Sequence, residues 1–370
     1  MSMRCATTLL AAALALPEVS CWMAGSTCVR VPVSAPSLTT RSASPLLCAE
    51  PASGAAAAAE APSSLSAPPP SFLDLIEQAS EATITAVKEG SNLLEIEFPP
   101  VPLSRLEDSA ISAYDLLSAN LQLSLELSKK LAASGALGEG KSVAITLPDA
   151  AERVRASEYL GDDNPAANVK LWALSGGDTE PSPFGFLTSL IKSVGDTQAA
   201  EWAGAYILVG VSCQELPQIR RLAELAPNVP IIAFNLKLDT LRGDLGLPGF
   251  PSKDVHHEFL CKMKAVYYMR PRSYSLSLSR PPFLLSYQGV LFRKYPEGFQ
   301  TLLDRGQGSY RQVAVDEKRP NLGGFKAKLT EALKLSDEAA SSAISQVGNK
   351  QSTWWEDDKD GRDISKEWRD

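Results

Sequence analysis

Apolar and polar positions along the chain alternate between two periods. Phe72, Leu75, Ile76, Ala79, Ile84 and Val87 recur at helical spacing from Ser71 to Glu89, and Gly90 stops the run. Leu93 to Phe98 then alternates as a short strand closed by Pro99-Pro100. The pattern predicts a long amphipathic helix from Ser104 to Ser134, a strand from Ser142 to Leu147 and a helix from Ala150 to Tyr159. A strand over 169–174 leads into a Gly/Pro-rich loop at 175–183, and a helix follows over 184–194. An apolar strand over 205–211, a helix over 216–226 and a strand over 230–234 come next. The remaining elements are a helix over 255–264, a strand over 266–269, a late strand or hairpin over 284–295 and a helix over 325–335.

Helix starts are marked chemically. Ser71/Asp74, Ser104/Glu107, Asp149/Glu152 and Ser212/Glu215 each pair a capping side chain with an acid three positions on, which satisfies two orphan amides. Strands alternating with helices over short connections predict an α/β fold. Its three layers would be a mostly parallel sheet with helices on both faces and a late antiparallel hairpin. One domain is expected over 71–335, between a leader of residues 1–70 and a mobile, acidic, Trp-containing tail of residues 336–370.

The leader differs in composition. It is rich in Ala, Ser, Thr and Pro, and its only bases are Arg4, Arg30 and Arg41. Leu9 to Leu16 forms a short apolar stretch behind Arg4, and Val19-Ser20-Cys21 offers small residues for cleavage before Trp22. The Ser-rich, acid-poor stretch that follows has the character of an organelle transit peptide, and Ala55–Ala59 and Pro68–Pro70 read as linker. Signal followed by transit segment resembles the bipartite leader of algae with complex plastids, which implies delivery to the plastid, in the stroma or beside the thylakoid. A plain secretory signal is the alternative. Cys5, Cys21, Cys28 and Cys48 lie in the leader, so only Cys213 and Cys261 remain in the body.

Composition narrows the function classes. With 44% hydrophobic residues and a net charge of −7, the chain can build a core, and its acidic balance argues against nucleic-acid binding. Its apolar runs fall short of the roughly 18 residues of a membrane span. Gly135 to Ser142 fits the phosphate-loop pattern G-x-x-x-x-G-K-S, but a helix precedes it and a strand follows it, the reverse of what phosphate cradling needs. Cys213, where a strand meets a helix, could be a nucleophile with His256 or His257 as base, yet Ser212 and Glu215 already explain that turn as a cap. No metal motif is present and no cofactor is expected.

Two sets of candidate residues stand out. Ligands of open parallel sheets bind beyond the carboxyl ends of the strands. Asp149, Ser212, Glu215 and Asn235 follow predicted strands and would gather at that edge, with Arg293 and Tyr295 approaching it. Arg270, Arg272 and Arg280 interleave with Tyr274 and Tyr287, the composition of a protein-binding surface.

The body also resembles a plant, algal and cyanobacterial family known only as a domain of unknown function. The resemblance is carried by Ile96-Glu97-Phe98-Pro99-Pro100, Val143 to Asp149, Ile207 to Glu215, and Pro230 to Asn235. It continues through Gly289-Val290-Leu291-Phe292-Arg293-Lys294-Tyr295-Pro296, Tyr310 and Arg319-Pro320. The family includes plastid factors named for low photosystem II accumulation and a domain fused behind a plastid adenylate kinase. The resemblance therefore implies a non-catalytic plastid binding module that assists assembly of photosystem or thylakoid complexes. The alternative is a nucleotide- or phosphometabolite-binding α/β enzyme using the carboxyl edge of the sheet. The family supplies no catalytic residues.

Overall fold

The computed structural model of the chain describes residues 65–106, 110–176, 197–278, 281, 283–335, 353–357 and 361–370. Among the described residues, nine strands form one sheet in the order β3-β2-β4-β5-β1-β6-β7-β8-β9. They are β1 (Leu93–Glu97), β2 (Ser142–Asp149), β3 (Val169–Ser175), β4 (Ala203–Leu208), β5 (Ile231–Phe234), β6 (Lys264–Ser277), β7 (Leu284–Lys294), β8 (Phe299–Asp304) and β9 (Tyr310–Asp316). The pairs from β3 through to β6 are parallel, and those from β6 to β9 antiparallel. The described helices are α1 (Phe72–Lys88), α2 (Leu103–Leu106), α3 (Ala113–Ala133), α4 (Ala150–Leu160), α5 (Leu216–Leu225), α6 (Leu238–Asp244), α7 (Asp254–Glu258) and α8 (Leu322–Ala332).

Alternation along the strands divides the core into two faces. Leu94 and Ile96, Val143 and Ile145, and Ile232 and Phe234 pack with Leu75 and Ile76 of α1 and Leu121, Leu127 and Leu131 of α3. Their neighbours Ala144, Tyr206, Leu208, Ile231 and Ala233 pack on the other side with Leu216, Ile219 and Leu222 of α5 and Leu238 and Leu241 of α6. Further along that second side, Phe325 and Leu329 of α8 cover Tyr268, Leu291 and Leu303. The sheet thus carries helices on both faces, as the alternating pattern predicts.

The structure departs from the sequence reading at several elements. The helix expected from Ser104 begins instead at Ser112, whose hydroxyl accepts from the Asp115 amide while the Asp115 carboxylate accepts from the Ser112 amide. Ser104 lies inside the separate four-residue α2, and Glu107 is outside the described residues, as is the expected helix over 184–194. The expected helix over 255–264 is the short α7 followed by a single turn at Leu260–Lys262, and the strand expected over 266–269 grows to the 14-residue β6. Long antiparallel pairing with β7 extends β6 well beyond its apolar part. β8, β9 and α6 had no counterpart in the sequence reading.

Both ends of the chain differ from the expected linker and mobile tail where they are described. The Ser66 amide and hydroxyl donate to the Glu297 carboxylate at 2.9 and 2.6 Å, and the Ser66 carbonyl accepts from Gln300. In the tail, Trp355 and Trp368 are buried, packing against Cys261 beside Ile364. The Trp368 amide donates to the Cys261 carbonyl at 3.1 Å, and the Arg319 amide donates to the Arg369 carbonyl at 2.7 Å. Burying two indole rings removes a large apolar surface from water, which favours docking of the segment.

Candidate functional site: a buried arginine cluster opening on a groove

On β1, Glu95 and Glu97 alternate with Leu94 and Ile96, so both acids point to the face opposite α1 and α3. A bulge keeps the neighbouring strand in step. Ala265 stands opposite Glu95 and Tyr267 opposite Ile96, which leaves Val266 as the extra residue and turns Tyr268 onto the face of Glu97. Beyond Tyr268, Arg270, Arg272 and Tyr274 continue on that face. α6 lays Asp239 and Arg242 over it, and Arg319 enters from the segment before α8.

Asp239 is the hub. Its carboxylate accepts from Arg319 Nη2 at 2.9 Å on both oxygens, from Arg242 Nη1 at 3.0 Å, from Arg270 Nη1 at 3.1 Å and from Arg272 Nη2 at 3.4 Å. The Tyr268 hydroxyl donates to Asp239 at 3.3 Å and accepts from Arg319, whose guanidinium lies 4.3 Å from the Tyr268 ring centre. Arg319 and Arg242 also flank Glu95 at 3.5 and 3.7 Å. Burial alone would push the Asp239 carboxyl up, but Arg319, Arg270, Arg242 and Arg272 outweigh it and hold the group well below the usual carboxylate range. Burial pushes the Tyr268 hydroxyl up to about 12.

Glu97 is the exception among these acids. Burial raises it to about 7 against the pull of Arg270, with Glu95 and Asp239 adding to the rise. Its Oε2 accepts from the Lys237 amide at 2.9 Å, where Lys237 adopts φ +54° at the start of α6. Four guanidinium groups therefore meet three carboxyl groups, one of which is easily protonated.

Two of the four guanidinium groups face an opening. A groove of about 440 Å³ runs between α6 and α8, with Arg270 and Arg272 in its lining. Asp239 and Asp244 of α6 lie on one side, and Leu322 and Trp355 on the other. The Arg270 and Arg272 side chains keep 21% and 23% of their surface exposed, whereas Arg242 and Arg319 are sealed. Glu356 stands beside the groove, accepting from the Leu322 amide at 3.2 and 3.3 Å; burial raises its carboxyl to about 7. Glu97 does not line the groove and is not placed to exchange protons with an occupant.

The residues singled out from the sequence divide among several places. Asp149 caps α4, accepting from the Glu152 amide at 2.9 Å, and Ser212 with Glu215 closes a capping box on the turn before α5. Asn235 ties β5 to α3 and β1: its amide side chain donates to Asn120 and accepts from the Phe98 amide, both at 2.8 Å. Tyr295 lies at the opposite end of the sheet, bonded to Glu89 just before β1. Arg293 is buried over Phe299 at 4.5 Å, donating to the Glu297 carbonyl and to Asp370. These six residues form no single cluster. Of the surface set, Arg270, Arg272, Tyr274 and Tyr287 do share one face, with the two tyrosine rings stacked 5.6 Å apart; Arg280 is outside the described residues.

Other motifs resolve structurally. The stretch from Gly135 to Lys141 links α3 to β2, and Lys141 Nζ donates to the Glu201 carbonyl at 2.6 Å, so no phosphate cradle forms there. Burial pushes the Cys213 thiol up to about 11, the wrong direction for a nucleophile. Among the described residues no group of three or more His, Cys, Asp or Glu could hold a metal ion, and no helix is long and apolar enough to cross a membrane.

Asp239, Arg242, Glu95 and Tyr268 were missed by sequence reading. Two acids at alternate positions of a buried strand were the signal available, since a carboxylate on such a strand requires a partner. Residues 69–327 match the family described as a domain of unknown function (DUF1995). No curated protein and no solved structure matches the chain.

Proposed function

The chain belongs to the DUF1995 family, and from that premise we propose that it is a binding module whose groove takes a phosphate-bearing small molecule on Arg270 and Arg272. The observation that carries this reading is the gathering of guanidinium groups: four meet on one carboxylate hub, and two of them remain partly open to the groove. Guanidinium groups match the geometry of phosphate oxygens, and the Asp239 hub fixes their orientation before any ligand arrives. A nucleotide and a sugar phosphate share that chemistry.

A thermal-shift panel of nucleotides, sugar phosphates and dicarboxylates separates the classes. A true ligand at 100 times its Kd should stabilise the fold by about 2.7 kcal/mol. The phosphates are expected to shift the transition and the dicarboxylates to leave it unmoved; a panel without any phosphate response would refute the reading.

A specific observation favours a second reading, that the module also docks on a plastid protein assembly. The β6–β7 pair projects past its neighbours, and Phe283 and Leu284 near its turn are 63% and 59% exposed. The plastid setting draws its support from the leader, and the partner class, a photosystem or thylakoid complex, from the family resemblance. Replacing Phe283 and Leu284 by Ser should abolish co-purification with solubilised thylakoid complexes. Unchanged recovery would remove this surface from consideration.

A further inference from the structure

A further carboxyl beside the groove comes from the tail. Glu356 stands at the amino end of α8, within electrostatic reach of Arg272 and Arg319. Its oxygens take the Leu322 amide, one of the unpaired donors at the first turn of an 11-residue helix, while the Asn321 side chain accepts from Gly324. Arg272 of β6 and Arg319 before α8 draw the carboxylate in, and Asp239 of α6 repels it. An amide at a helix start beside a guanidinium is also what a phosphate group seeks.

The tail is held here by more than this acid. Trp355, which lines the groove, is buried; Trp354 sets its ring edge against His256 at 5.3 Å and His257 at 5.4 Å and lies under Lys253 at 4.8 Å. Farther on, Trp368 packs 5.4 Å from the Arg242 guanidinium and 5.8 Å from His256. Trp355 therefore forms part of the groove wall, and Glu356 next to it holds the amide of Leu322, another lining residue.

Resting on the phosphate-binding reading above, we infer that Glu356 is a built-in competitor at the edge of the groove, and that a phosphate-bearing ligand held by Arg272 binds by displacing it from the Leu322 amide. Affinity for the ligand is then set by competition within the chain: weakening the Glu356 contact strengthens ligand binding, and ligand binding loosens the turn that carries it.

Pyrophosphate titrated into the full chain by calorimetry, at a pH of about 8 where Glu356 is ionised, tests the inference. Glu356→Gln keeps the size of the side chain and removes its charge. It should bind pyrophosphate about tenfold more tightly than the wild type, the scale of one charged hydrogen bond. Amide exchange of residues 353–357 should rise when pyrophosphate saturates the wild type. Equal affinity in both proteins, or unchanged exchange, overturns the displacement. Arg272→Ala separates the two ideas. Pyrophosphate binding that needs Arg272 but ignores Glu356 defeats displacement alone. Binding that ignores Arg272, or is absent from wild type and Glu356→Gln alike, defeats the phosphate site and displacement with it.

Discussion

Glu97 carries a cost that pH reveals. Burial raises its carboxyl from 4.5 to about 7, so the folded protein holds this proton more tightly than the unfolded chain does. Its contribution to stability is fully present below the unfolded value and is lost as pH rises through about 7. Glu97→Gln mimics the protonated form and should remove that dependence. Urea unfolding at pH values of about 5 and 8 should show the wild type losing of the order of 1–3 kcal/mol relative to the variant. Parallel curves at both values would show that Glu97 ionises in the fold without penalty. The position was half legible in the sequence: Glu97 falls in the short strand read over Leu93–Phe98, but nothing local indicated that it is buried, that Lys237 supplies its amide or that Arg270 faces it.

Elements were legible where local signals were strong. Apolar periodicity and caps located α1, α4 and α5, and unbroken apolar runs located β2, β4 and β5. α6 was invisible for a physical reason. It has seven residues, begins from Lys237 at φ +54°, and has no side-chain cap. β6 was shortened because its distal half alternates with Ser and Arg and owes its extension to pairing with β7. The seating of α8 on that pair is set by Gly289, where an added Cβ would stand 2.5 Å from Leu329 Cδ1 and 2.9 Å from the Leu302 carbonyl. Gly289→Ala must push α8 off the sheet or strain β7, at a cost of about 1–3 kcal/mol in thermal or denaturant unfolding. Wild-type stability in this variant would mean that α8 is loosely seated and that the groove wall it forms is soft.

At the scale of the molecule, the site is a product of topology. Glu95, Asp239, Arg270 and Arg319 come from four separate stretches of chain, and the Arg319–Glu95 contact spans 224 residues. No sequence window could show that they meet. The parallel-sheet rule directed attention to the carboxyl ends of β2, β4 and β5, where the structure shows Asp149, Ser212 with Glu215, and Asn235 in hydrogen bonds that cap helices and tie strands. The cluster lies where the parallel half of the sheet gives way to the antiparallel half, at β1 and β6, and α6, α8 and the docked tail close around it. Arg272 is the least committed member, with a 3.4 Å contact to a hub that three other arginines also hold. Its removal should spare the fold and remove one of the two guanidinium groups open to the groove. The most direct measurement is therefore calorimetric titration of pyrophosphate into the wild type, Arg272→Ala and Glu356→Gln, with all folds verified by circular dichroism. Saturable one-to-one binding that the Arg272 substitution abolishes is the expected result; the same binding in wild type and Arg272→Ala, or none in the wild type and Glu356→Gln alike, would contradict the assignment of this groove as a phosphate site.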